Sequence, residues 1–292
     1  MSEPRMSRTG DIDEGADLPE APPPRPRTNR ISALVVARNE AERLPDCLAA
    51  LSPADEVVVV LDRSTDDSIA IAWGRANRVV EGEWEMEGDR RNAGIDACTG
   101  DWVLEVDADE YVPPELWAEI RRVTAASPHA FHRVRIDNYV GDRLIRGGWA
   151  GSFGTTSKPI LFRRGAKRWR SQRVHPGLDW TGSEGAKITA QGIHHALDRD
   201  ISDMLRRLDL YSSAKAADLL DSGKIGTLPD NLRRFVSRVF KSLVSRGGWR
   251  EGGWGVLLAL CTGMFPLLAF LKARLEPEKH GGRKADTGAD AS

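Results

Sequence analysis

The chain has 292 residues, 42 of them basic and 43 acidic, for a net charge of −1, which excludes a whole-surface attraction to nucleic acid. That length holds one large domain, or one domain with an appendage, and allows a sizeable core. The three cysteines, Cys47, Cys98 and Cys261, are far apart, odd in number and without CxxC spacing, which argues against a disulfide framework and a structural zinc site and fits a reducing cytoplasm.

Residues 1–30 contain no apolar h-region. Their PEAPPPRPRT stretch among scattered acids reads as a disordered, partly extended arm rather than a signal peptide. Folded structure is expected from Ile31. ISALVVA (31–37) is a continuous apolar run, followed by NEAERLPDCLAAL, where Leu44, Leu48 and Leu51 recur at helical spacing and Pro45 interrupts the first turns. EVVVVL (56–61) is the second strand, so the pair brackets a crossover of the length a βαβ unit needs. STDDS supplies N-cap residues for a helix through IAIAWGRA, RVV is a short third strand, GDRRNAGIDACTG is helical and closes on Gly100, and DWVLEV is the fourth strand. Strands apolar on both faces belong in a parallel sheet covered by helices, so the expected class is α/β. A long helix over 201–222 reads as a covering helix with no assigned chemistry.

Acid stands where two of these strands end. Asp62 follows VVVVL and Asp107 follows DWVLEV, and ligands of open α/β sheets bind beyond the carboxyl ends of the strands. Asp107 and Asp109 are two apart, a spacing that points both side chains the same way in extended backbone. Such a pair suits Mg²⁺ or Mn²⁺, held by one or two carboxylates while substrate phosphates and water complete the shell. The bland alternative is an acidic loop that caps the helix beginning at Pro113 and Pro114.

ALVVARNEAERL, EVVVVLDRSTDDS and GDRRNAGIDACTGDWVLEVDADE resemble, in order and spacing, the nucleotide-sugar-binding half of inverting family 2 glycosyltransferases of the GT-A fold. NYVGDRLIRGGW, PILFRRGAKRW, VHPGL, GIHHAL and LRRLDLYSSAKAADLLDSGK resemble the branch containing lipopolysaccharide inner-core β-1,4-glucosyltransferases, which add glucose to a core heptose. The resemblance runs from residue 31 to about residue 275. It implies a GT-A domain over 31–200, with a donor half (31–127) and an acceptor half (128–200), then C-terminal helices over 201–276 and a disordered tail. By the same resemblance Asp109 ligates the metal, Asp107 contacts the ribose or the metal through water, and Asn39, Glu40, Asp62, Arg91 and Asn92 lie at the nucleotide and diphosphate. The family's D-x-G-S-T-D is altered here, with Leu61 in place of its first acid and Arg63 in place of its glycine. Asp62 then substitutes from one residue along, or nucleobase recognition differs. Asn39 and Glu40 read equally well as a helix cap, and Arg91 and Asn92 as a solvated basic turn.

Displacing a nucleoside diphosphate builds negative charge on the leaving oxygens, which a bound metal stabilises. A carboxylate must take the acceptor's proton. Asp179 is the first candidate and Glu184 the second, because the Glu that relatives often carry directly after the histidine of VHPGL is Pro176 here. His175 is placed at the metal or diphosphate, or is a packing residue, and His194 and His195 carry the same two readings. Trp149, Trp169 and Trp180 either stack on acceptor sugars or pack the core.

Residues 230–276 alternate apolar side chains with Arg233, Arg234, Arg238, Lys241 and Arg246, and no acid appears between Asp230 and Glu251. A basic amphipathic helix of this kind lies well at an anionic membrane surface. Gly252 to Leu271 is uncharged and about long enough to span a bilayer, but its glycines and Pro266 favour an in-plane or re-entrant hairpin over a span, with a soluble helix pair as the bland reading. The leading functional expectation is an inverting hexosyltransferase that uses a UDP-sugar, UDP-glucose first, and a divalent cation. Its acceptor would be a membrane glycolipid or core oligosaccharide at the cytoplasmic face of the inner membrane. The alternatives are transfer to a polyprenyl phosphate, and a non-catalytic scaffold that binds nucleotide sugar.

Overall fold

The computed structural model describes residues 29–150, 153–171 and 177–281. The expected arm as far as Thr28, the tail beyond Gly281, and His175 lie outside them.

Three aliphatic runs form the centre of the sheet. Ile31–Ala37 (β1) and Glu56–Asp62 (β2) are buried at every position, and Trp102–Asp107 (β4) at all but its last. Each is parallel to its neighbour, with Arg78–Gly82 (β3) as the half-exposed edge. The two-residue side-chain period divides β1 between two cores. Ala33 and Val35 face Leu44–Ala50 (α1), Ser68–Arg75 (α2) and Pro114–Ala126 (α4), whereas Leu34 and Val36 face Glu87–Ala97 (α3). The α/β expectation holds through this half, including Pro45 in the first turn of α1 and Pro113 capping α4.

The second half extends the same sheet. Ser157–Arg163 (β8) pairs antiparallel with β4, Phe131–Val140 (β6) pairs with β8, and Ile188–Asp198 (β11) runs parallel to β6. Glu110–Tyr111 (β5) closes the far edge against β11, and Arg143–Ile145 (β7) lies beside β6. The order is β3-β2-β1-β4-β8-β6-β11-β5. A short ribbon of Lys167–Trp169 (β9) and Leu178–Trp180 (β10) packs on α3, where Asn92 hydrogen-bonds both backbone groups of Trp169.

Between β4 and β5 lie only Ala108 and Asp109, which form a turn. Extended backbone was expected there. Three Cα steps reach at most about 11 Å, yet β4 and β5 stand four strand spacings apart, about 19 Å in a flat sheet. The sheet must therefore curl until its far edge meets the end of β4, and the chain must turn at Asp109 to follow it.

Three long helices follow, and after them a single turn of helix, Pro277–His280. Ile201–Ser222 (α5) starts at Asp200, whose carboxylate accepts from the Asp203 amide, and ends at Gly223 in the left-handed region. Leu228–Phe240 (α6) is capped by Thr227 and connects through a π-helical turn to Gly253–Leu275 (α7). Met204 and Leu208 of α5 and Leu258, Cys261 and Phe265 of α7 share a third core with Trp149 and Phe153. Trp180 stacks on Phe131 with ring centroids 3.9 Å apart. Trp149 and Trp180 are thus packing residues.

Gly94 of α3 lies flat on the sheet, and a Cβ there would come within 2.5 Å of Leu34 Cδ1 and 2.7 Å of Val60 Cγ2. Overpacking costs about 1–3 kcal/mol, more than the few tenths of a kcal/mol that valine gains over glycine in a helix. Gly94→Val is expected to lower the urea midpoint, with the slope of the transition unchanged.

Candidate active site

Four carboxylates and three cations occupy the end of β4. Glu105 is buried between Lys167 Nζ at 2.6 Å and Arg91 Nη1 at 2.7 Å. Arg91 comes from α3, where Glu87 one turn back holds its Nε at 3.1 Å, and its guanidinium lies 5.1 Å over the Trp169 ring. Its Nη2 reaches Asp107 Oδ1 at 3.2 Å, while Lys158 Nζ donates to Asp107 Oδ2 and to Glu110 Oε1, each at 2.7 Å. The Asp107 amide then donates to Glu110 Oε2 at 3.0 Å. Burial pushes the Asp107 carboxyl up, but Lys158 and Arg91 outweigh it and hold the group well below the usual carboxylate range. Glu110 moves the other way, raised by burial and by the charge on Asp107 against the pull of Lys158. Asp107 is therefore a fixed anion, already engaged by two cations.

Asp109 is held differently. Its backbone carbonyl accepts from the Ala196 amide, and its Oδ2 lies 3.3 Å from Nε2 of His195 on β11. His195 Nδ1 is 2.9 Å from Asn138 Oδ1, and Asn138 Nδ2 donates to the Thr155 carbonyl at 2.9 Å. Thr155 thereby sets the amide, so Asn138 presents an acceptor and His195 carries its proton on Nδ1. In the neutral ring Nε2 is then a lone pair facing a carboxylate oxygen. Two electron-rich atoms at that distance need a proton or a cation between them.

Both groups line a cavity of about 1370 Å³ between the sheet and α5. Of the residues expected at a donor, Glu40, Arg91, Asp107 and Asp109 line it, and Asn39, Asp62 and Asn92 do not. Asp62 is buried, with Arg63 Nε at 3.0 Å, the Trp84 amide at 3.2 Å and Arg90 Nη1 at 3.3 Å. Leu61, in the place of the family's acid, is a core residue, and Arg63 takes the left-handed backbone, φ 50°, that suits the glycine it replaces. Asn39, also left-handed, caps the 64–65 turn by accepting from the Thr65 amide. Asp66, not Asp62, meets the start of the first helical region through the Ala41 amide.

The expected bases lie elsewhere. Asp179 is on the exposed face of the β9–β10 ribbon, bonded to Arg170 at 2.7 Å, and lines a separate surface cavity with Asp96 and Arg168. Glu184 is exposed in a single bridge to Phe131. Neither is brought to Asp109. His194 lies tilted against Tyr111 and Tyr139, with ring centroids 5.9 and 5.2 Å away, and does not line the cavity. Missing from the sequence reading were Lys158, Lys167 and the α5 wall, where Arg207 clamps buried Asp198 at 2.8 and 2.9 Å and Tyr211 reaches the cavity. No local pattern announces Lys158, because its carboxylate partners are 48 and 51 residues away.

Among the described residues no three metal-ligating side chains cluster. Asp109 and His195 nevertheless offer an oxygen and a nitrogen donor that would hold a divalent cation between them. Cys47, beside this ring of acids, is a buried thiol pushed far above its ordinary range, first by burial and then by Glu110, Asp109 and Asp107; it is no nucleophile.

The model of the glycosyl transferase family 2 matches residues 32–173. An uncharacterized glycosyltransferase of Rickettsia felis is 35% identical over 215 residues, 67% of this chain and 72% of that protein. The lipopolysaccharide core biosynthesis glycosyltransferase LpsC of Rhizobium meliloti is 26% identical over 270 residues, 86% of this chain and 93% of that one. Among solved structures, S. aureus TarS 1-349 superposes with a TM-score of 0.45 at 13% identity, covering 87% of this chain and 93% of that one.

Lys158→Met would leave Asp107 and buried Glu110 facing each other without their shared cation, and removing one partner from a buried pair costs about 3–5 kcal/mol. The pH dependence should also change. Asp107 keeps Arg91 in the variant, but Glu110, whose carboxyl is already raised by burial and by the charge on Asp107, loses the Lys158 cation that opposes them. A carboxyl raised above its unfolded value of about 4.3 costs stability as pH climbs through its folded pKa, so the stability lost in Lys158→Met should be smallest in acid and grow toward neutral pH. Denaturation midpoints measured across pH for both proteins read the widening gap.

Proposed function

The chain belongs to glycosyl transferase family 2, and from that premise we propose that it moves a hexose from a UDP-sugar, UDP-glucose first, to a glycolipid of the lipopolysaccharide-core type, with inversion. The observation that carries the reading is the Asp109–His195 pair, set by Asn138 and facing the cavity. A divalent cation, Mg²⁺ or Mn²⁺, held by these two groups would neutralise charge on the departing diphosphate.

The chain's own residues supply the rest. Arg91 is tied to three carboxylates, and this keeps its position fixed at the cavity wall. Asp107, an anion at any working pH, anchors Arg91 and Lys158 and leaves Asp109 as the open carboxylate. Glu40 lies near Asp109 on the wall. Its carboxyl is raised, first by burial, with Asp109 and Asp66 adding and Arg43 opposing, which suits hydrogen bonding to the donor's hydroxyl or phosphate groups. The α5 wall, with Arg206, Tyr211 and Ser213, borders the acceptor side. Overall similarity to LpsC supports the choice of acceptor. The use of cytoplasmic nucleotide sugars assigns the reaction to the cytoplasmic face of the membrane.

The test is release of nucleoside diphosphate from a panel of sugar nucleotides, with and without Mn²⁺. Asp109→Asn is expected to lower turnover by about 10²–10³-fold, the loss typical of removing one group that stabilises a developing anion, with an unchanged circular dichroism spectrum. His195→Gln should raise the metal concentration needed for half-maximal rate. Asp179→Asn and Glu184→Gln, both outside the cavity, should retain turnover within a few-fold. A loss of ~10²–10⁴ in either, with donor binding kept, would give that residue the base's role.

A further inference from the structure

α6 has a wider apolar stripe than its neighbours cover. Phe235 and Val239 pack on Gly263 of α7, where a Cβ would meet them at 2.7–3.0 Å. The next row on the same helix is bare: Leu228, Leu232, Val236 and Phe240 are exposed at i, i+4, i+8 and i+12, with Val236 64% and Phe240 61% accessible. Val244 and Trp249 carry the exposed apolar surface into the following turn. Arg233, Arg234, Arg238, Lys241, Arg246 and Arg250 flank this row, and none has a carboxylate within salt-bridge distance among the described residues. In a chain whose acids and bases nearly balance, six uncompensated cations in 18 consecutive residues are a local excess. Burial, and then Arg234 and Arg246, hold the Arg238 guanidinium below its ordinary value, as expected where like charges crowd without a counterion.

We infer that this face of α6 is a docking surface for an anionic lipid bilayer, on which the helix lies in the plane of the interface with its apolar row in the acyl boundary and its cations at the headgroups. Charge complementarity selects the partner: a second copy of the chain would bring six cations against six, while an anionic bilayer satisfies both the cations and the apolar row. Trp249, with Arg250 over its ring at 5.1 Å, has the amphipathic character that favours the headgroup level.

α7 does not cross the membrane in this arrangement. It is 23 residues long and apolar enough to span, but Leu258, Cys261, Phe265 and Phe270 are buried within the protein. Both of its ends are tied down. Glu251 Oε1 accepts from the amides of Arg146 and Gly147 at 3.0 and 2.9 Å, and Lys272 Nζ bonds Asp209 Oδ1 at 2.6 Å and Ser212 and Ser213 at 2.8 Å. Asp209 and Ser213 line the large cavity, so α7 joins the docking helix to the wall of the active site. The docking surface stands on α6 alone; only its use, bringing a lipid-linked acceptor to the cavity, rests on the proposed function.

Co-sedimentation of the full chain with phosphatidylglycerol-containing vesicles and with pure phosphatidylcholine vesicles, at low and high salt, tests this without donor, metal or acceptor. Binding is expected to the anionic vesicles only and to weaken with salt. Val236→Glu/Phe240→Glu and Arg233→Glu/Arg234→Glu should each lower the partition coefficient by about tenfold or more, with unchanged thermal melts. An alkaline carbonate wash of cell membranes should release the wild type. Equal binding by the wild type and both variants, no preference for anionic vesicles, resistance to the wash, or self-association abolished by either variant would each overturn the proposal. Nucleoside diphosphate release in the variants, measured with a water-soluble acceptor, reports separately on the catalytic reading.

Discussion

The two-residue link between β4 and β5 constrains everything at the cavity. Because Ala108 and Asp109 alone connect strands four places apart in the sheet, the sheet can close the gap only by curling. The curl carries β11 and its His195 to the end of β4, and Asp109 stands in the turn where the two edges meet. A longer link would allow a flatter sheet, and Asp109 would then face solvent with no imidazole opposite.

Curling has an electrostatic consequence. It draws Glu105, Asp107, Asp109 and Glu110 into a small, partly dry volume, where unpaired carboxylates are strongly disfavoured. Arg91 from α3, Lys158 from β8 and Lys167 from β9 supply the matching charge, each from a different part of the chain. Pairing is selective. Three of the acids are engaged by Arg or Lys, and Asp109 is left with the imidazole of His195. The same ion pairs that make the fold tolerable thus leave one carboxylate, Asp109, without a Lys or Arg partner.

The C-terminal helices extend this logic from the site to the surface. α5 forms one wall of the cavity and α7 packs behind it, so the third core backs that wall. α6 packs Phe235 and Val239 on Gly263 of α7 and leaves Leu228, Leu232, Val236 and Phe240 exposed. Arg233, Arg234 and Arg238 of α6, with Lys241, Arg246 and Arg250 just after it, stay apart from the Arg and Lys residues paired with acids at the cavity.

Much of this molecule is legible in its sequence. The uninterrupted apolar runs of β1, β2 and β4 announce a buried parallel sheet, Pro45, Pro113 and Pro114 mark the starts of α1 and α4, and the extent of α5 follows from helical spacing. These are local signals, because strand burial and helix periodicity depend on residues a few positions apart. Asp107 and Asp109 are visible for the same reason, standing where an apolar run stops. Their division of labour is not visible, since it depends on Lys158 and His195, which the curl alone brings near. Asp62 shows the converse: a carboxylate at a strand end, where the motif leads one to look for a donor contact, is instead consumed by Arg63 and Arg90. Asp179 likewise alternates out of the β10 face that packs inward and meets Arg170 on the surface. The sequence by itself determined the layered α/β architecture, the acids at the strand end and the basic amphipathic helix, because each is written in neighbouring residues. Only the tertiary structure decided which acid stays open and which face stays bare, because both depend on partners dozens of residues away whose approach is set by sheet curvature and helix packing.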